Sequence, residues 1–141
     1  MAYSTQAQLI AQLSTNVLVQ LTDDDHLGAV VPSVVTACIA IADSEIDGFI
    51  DGRYLVPLSP VPTLVNSWSI TLAKYHLFAR RDRVSDMLLE ERKAIVALLT
   101  KVSQGTMTLG VAPPPTAGSL ANVGEFIASE SVFSRANMEG Y

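Results

Sequence analysis

Ile39-Ala-Ile-Ala-Asp-Ser-Glu-Ile-Asp-Gly-Phe-Ile-Asp-Gly-Arg-Tyr-Leu-Val-Pro-Leu-Ser-Pro-Val-Pro62 decides how the rest of the chain is read. Its first half carries apolar residues at helical spacing. The pattern breaks at Gly52. Pro57, Pro60 and Pro62 then hold the backbone extended, because a residue before proline avoids helical geometry. The stretch thus predicts the end of one helix, a stiff connector over 52–62, and the start of another helix. The connector carries Tyr54, Leu55, Val56, Leu58 and Val61, too apolar to hang in water, so it should lie against a helix or a neighbouring subunit.

Working back, Pro32 suits a first helical turn. Val35, Ile39, Ala42, Ile46 and Phe49 follow at spacings of 4, 3, 4 and 3, which predicts a helix over roughly 32–51. Val34, Cys38 and Ile41 widen its apolar stripe. Gly48 inside it costs about 1 kcal/mol against Ala, and a close crossing of another backbone would explain it. Further upstream, Thr5 and Gln8 are placed for a capping box. Leu9, Ile10 and Leu13, then Val17, Leu18 and Leu21, predict two short helices or one kinked helix over 5–21.

Working forward, Val65, Trp68, Leu72, Tyr75 and Ala79 repeat at helical spacing over 62–81. Ile70 and Leu77 lie off that stripe, so this helix is apolar on more than one side and should be central. Ser85 or Asp86 caps a last helix running to about Gln104. Leu88, Ile95, Leu99 and Val102 set its inner face, with Met87 and Leu98 beside it. Glu90 and Lys93 should pair on its outside, and Gly105 sits where a left-handed C-terminal cap belongs. The fold class is all-α, a bundle of four to five helices over 1–105 with an extended proline-containing loop.

Beyond 105, Gly110, Pro113 to Pro115, Gly118 and Gly124 preclude long regular elements. Residues 106–141 therefore read as a non-helical arm. Its apolar residues are the reverse of a solvated linker's composition. Phe126, Ile127, Val132, Phe133, Met138 and Tyr141 read as anchors that enter grooves on a partner.

The 141 residues carry a net charge of −5, with 49% hydrophobic and 16% charged residues. That balance argues against nonspecific nucleic-acid binding, which needs clustered cations, and against an anionic membrane. No signal peptide is legible, and the apolar runs fall short of a membrane span. A soluble protein made in a reducing cytoplasm is expected. A single cysteine, Cys38, gives neither an internal disulfide nor a zinc site.

No catalytic constellation is legible: no phosphate loop, no HExxH pair, no nucleophile elbow. Neither an enzyme nor a cofactor is expected. Asp23, Asp25 and Gly28 match three positions of a calcium loop, but Leu27, Val31 and Val34 occupy ligand positions. The plainer reading is a turn whose aspartates cap backbone groups. His26 lies in this turn, and His76 reads as a packed or capping residue.

Asp43, Asp47 and Asp51 form an i, i+4, i+8 row whose members repel one another near a helix C-terminus. The row is either a solvated acidic face or a surface that meets a basic partner. Arg53 beside Tyr54, or the cluster Lys74, Arg80, Arg81 and Arg83, supplies such a partner within or between subunits.

The run Ala42 to Pro62, placed after Ala7-Gln-Leu-Ile-Ala-Gln-Leu13, resembles the phage Mu gene-product-thirty-six-like family of tailed-phage proteins. The similarity covers roughly 3–105, and more faintly Phe133 to Tyr141. It implies a helical head-to-tail connector or adaptor in the virion neck. Such a protein forms a homo-oligomeric ring, commonly twelve-fold, beneath the portal protein and meets a tail terminator or stopper protein. Packaged DNA passes its lumen without specific binding, a lumen that the Asp43, Asp47 and Asp51 row would line and from which it would repel DNA, and no membrane is involved. Two further readings stand beside it: a helical regulatory or packaging accessory protein, and a tail-completion protein.

Overall fold

The computed structural model describes residues 1–112. Five helices follow in order: α1 Gln6–Leu13, α2 Thr15–Thr22, α3 Pro32–Ile50, α4 Thr63–Ala79 and α5 Asp86–Gln104. No strand occurs among the described residues. The fold is an all-α bundle.

Local chemistry sets the helix ends. Thr5 and Gln8 form the expected capping box, with Thr5 Oγ1 accepting the Gln8 N–H and Gln8 Oε1 accepting the Thr5 N–H. Ser14 separates α1 from α2 with a positive φ of 61°, so the first pattern resolves as two helices. Pro32 opens α3 at a position where its missing N–H costs nothing. Ser85 caps α5 by accepting the Leu88 N–H at 3.3 Å. Gly105 ends α5 in the left-handed conformation, φ 82°.

α3 and α4 form the central pair, α5 covers both, and α1 and α2 close one side of α4. Val35, Ala42, Ile46 and Ile50 of α3 are fully buried, as are Val65, Leu72, Ala73 and Leu77 of α4 and Leu99 and Val102 of α5. Trp68 sits among them at 4% exposure. Each Val, Leu or Ile among them contributes about 1.5–3 kcal/mol when removed from water.

Several details depart from the periodic reading. Ile50 rather than Phe49 is the last buried residue of α3, because Arg53 and Tyr54 both bond back to the Ile50 carbonyl and fold the connector over it. Ile41 is half exposed, and Leu13, Phe49 and Tyr75 are only partly buried. Among the described residues no backbone crosses Gly48: a Cβ there would meet nothing within 4 Å. Cys38 is buried as expected.

The connector packs on its own domain. Tyr54 and Leu58 are buried, while Leu55 points outward. The peptide bonds Val56–Pro57 and Ser59–Pro60 are cis. Leu109, which the sequence assigns to the arm, is buried, and its N–H donates to the Tyr54 hydroxyl at 3.2 Å. The arm anchors Phe126, Ile127, Val132, Phe133, Met138 and Tyr141 lie outside the described residues.

Candidate functional site

The polar organisation of the molecule centres on Asp43. This residue stands on the α3 face that α1 and α4 approach, so its carboxylate points inward and is 8% exposed. Tyr3 N–H donates to Asp43 Oδ2 at 2.9 Å, and Ser69 Oγ donates to Oδ1 at 2.5 Å. Ser69 also bonds Ser4 Oγ at 2.7 Å. One turn further along α3, Asp47 accepts a short hydrogen bond from the Tyr3 hydroxyl. That hydroxyl accepts the Leu58 N–H at 3.0 Å. Asn66 Nδ2 closes the set by donating to the Tyr3 carbonyl at 2.5 Å.

The N-terminal segment is therefore latched into α3, α4 and the connector at once. Burial raises the Asp43 carboxyl above its ordinary 3.8, against the hydrogen bonds from Ser69 and Tyr3 that favour its charge; nearby Asp47 adds to the rise. Burial and the bond to Asp47 also push the Tyr3 phenol up. Beside the latch, a cleft of about 450 Å³ runs between Met1–Gln6 and α3, with Asp43 and Asp47 on its wall.

The expected acidic row is thus split. Asp43 is buried and bonded within its own chain. Asp47 is half-buried and bonded to Tyr3; only Asp51 is fully exposed. Tyr54, expected at an interface, is core. Arg53 is exposed, with its guanidinium lying over Gly105 at the end of α5.

The basic cluster also finds partners within the chain, and they are not the Asp43 row. Lys74 pairs with Glu91 of α5 at 3.0 Å. Arg80 and Arg81 both grip Asp24, the latter at 2.6 Å, and both donate to the Leu21 carbonyl. They thereby satisfy the C-terminal end of α2, where cations are favourable. The Arg80 hydrogen bond holds the Asp24 carboxyl below its ordinary value. Arg83 makes no ion pair among the described residues.

A third group ties the long helices together. Glu45 of α3 accepts from Arg92 of α5 at 2.6 Å and lies 3.2 Å from His76 Nε2 of α4. The Arg92 guanidinium also stacks over Tyr75, 5.0 Å from the ring centre. In the Asp23 turn, Asp23 accepts the N–H groups of Leu27 and Gly28 at 2.9 and 2.6 Å, which lower its carboxyl value. Its oxygens serve the turn, as the plainer reading had it. No group of three or more metal-ligating side chains occurs among the described residues.

The latch was not legible from the chain. Met1 to Ser4 has no periodicity, and Tyr3 stands two residues before the cap. Asp43 was visible only as one member of a row, because spacing does not reveal which way a helix turns its face.

Fold and site define a small helical-bundle protein, with five helices among the described residues, that pairs many of its charges within the chain and pins Tyr3 and Ser4 into its core. Residues 3–126 match the protein family described as Bacteriophage Mu, Gp36, and the chain belongs to that family of phage proteins. It is 24% identical over 139 residues to the Mu-like prophage FluMu protein gp36 of Haemophilus influenzae, covering 99% of this chain and 97% of that protein. No helix among the described residues is long and apolar enough to cross a membrane.

Proposed function

We propose that the chain is a structural virion protein of the phage neck, a head-to-tail connector without catalytic activity. It forms a ring beneath the portal protein and hands over to a tail terminator or stopper protein. The observation that carries this reading is membership of the Mu Gp36 family across most of the chain. The surface supports it. Leu27, Leu55 and Met87 are more than two-thirds exposed on a body whose core is already complete, and exposed apolar side chains of this kind suit contacts with other proteins. The competing regulatory reading needs a free basic face to meet nucleic acid. Arg80 and Arg81 are engaged by Asp24 and by α2, which weakens it.

Imaging of purified particles carrying the labelled protein tests the assignment, together with particles from a phage lacking it. The expected result is label at the head–tail junction and, without the protein, filled heads that carry no tails. Normal joined particles in its absence would overturn the proposal.

A further inference from the structure

A groove of 220 Å³ lies where the end of α1 meets the end of α4 and the start of α5. Leu13, Phe78, Met87 and Leu88 supply its apolar surface, and Lys74 and Arg83 its charged rim. Met87 is 71% exposed, a flexible thioether of the kind that moulds to an incoming side chain. Leu88 is buried but stands apart from the contiguous core, so this corner is a separate apolar site. Lys74 is engaged by Glu91, whereas Arg83 has no ion-pair partner among the described residues.

We infer that this groove receives residues 125–133 of a second copy of this chain. That segment reads Glu125-Phe-Ile-Ala-Ser-Glu-Ser-Val-Phe133. Two apolar pairs, Phe126-Ile127 and Val132-Phe133, alternate with the acids Glu125 and Glu130, and no cation is present. An acidic-apolar segment complements an apolar groove with a cationic rim, and such matching fixes register as well as partner.

The length of chain selects the source. The described body ends near Leu109 and Tyr54, at the C-terminal end of α5. The groove is at the other end of that 19-residue helix, about 28 Å away at 1.5 Å per residue. Residues 113–124 reach about 40 Å only when drawn out fully. Reaching its own groove would use about 28 Å of that reach on a straight line and more on a path around the body, leaving the segment little slack. A neighbouring copy imposes no such path. The inference deepens the neck-protein reading and rests on it only for the presence of neighbouring copies.

Full-length Met87→Cys and Val132→Cys variants, both in a Cys38→Ala background and one of them isotopically heavy, are mixed and oxidised. Peptide mapping should find a heavy–light disulfide joining positions 87 and 132. Arg83→Glu in the first variant should reduce its yield at least fivefold, and Glu130→Arg in the second should restore it. Circular dichroism confirms that the bodies stay helical, and Arg83→Gln serves as the milder variant. Links only between like positions, or no response to Arg83 changes, would overturn the inference. So would an 87–132 link within single chains of a doubly substituted protein that persists on dilution. Protein in the neck without the link rejects the groove alone; the link in a protein absent from particles rejects the neck reading alone.

Discussion

The Leu58 amide donates a 3.0 Å hydrogen bond to the Tyr3 hydroxyl, joining two residues 55 positions apart in the sequence. Both side chains are buried, at 2% and 2% exposure. Tyr3→Phe keeps the ring and leaves this N–H without its partner. The expected loss is about 1–3 kcal/mol in urea unfolding, the cost of an orphaned buried donor. An unchanged midpoint would show that water replaces the hydroxyl.

Asp43 gives a second test, in which two substitutions and pH are read together. Asp43→Ala removes the acceptor of the Tyr3 N–H and should cost about 1–3 kcal/mol. Asp43→Asn keeps an oxygen for Tyr3 and an amide that Ser69 can accept, so it should cost less. The folded state raises the Asp43 carboxyl above 3.8, so it binds the proton more tightly than the unfolded chain. Its contribution is therefore fullest below 3.8 and is withdrawn as pH rises through the folded value. Relative to Asp43→Asn, the natural protein should gain stability as pH falls from 7 toward that range. A parallel pair of stability–pH curves would contradict this.

Gly48 is exposed on α3 with open space around its missing Cβ. Gly48→Ala should raise stability by about 0.5–1 kcal/mol, since the unfolded chain loses freedom and nothing clashes. Thermal unfolding of the isolated protein measures it. A loss of stability would mean that the site is crowded after all.

Gly105 should behave oppositely. Its φ is 82°, and an added Cβ would collide with the Arg53 guanidinium. Gly105→Ala should cost at least about 1–2 kcal/mol for the left-handed backbone alone. Adding Arg53→Ala relieves the collision but not the backbone strain. The two changes should therefore be non-additive in a double-mutant cycle. Strict additivity would show that Arg53 simply moves aside.

Helix periodicity was strong enough to place the three long helices and left open whether the first stretch was one kinked helix or two short ones, because each keeps an apolar stripe. Val35, Ile39 and Ile46, and Val65, Trp68 and Leu72, sit in the core where their spacing put them. What spacing does not carry is the rotation of a polar face. Asp43 and Asp51 are two turns apart and look equivalent in sequence, yet one is buried and the other exposed. Docking of α1 and the N-terminal segment decides between them, and that is a tertiary event. Ion pairing was equally hidden: Arg80 and Arg81 find Asp24 through the packing of α2 on α4, across more than 50 positions.

The latch also sets an order in time. Tyr3 and Ser4 are synthesised before every partner that holds them, at positions 43, 47, 58, 66 and 69. At about 5–20 residues per second, the ribosome needs roughly 3–13 seconds to reach Ser69 after making Tyr3. During that interval the Tyr3–Ser4 segment of the nascent chain is open to chaperones and proteases. Once α4 has emerged and docked, the same peptide bonds are closed to them.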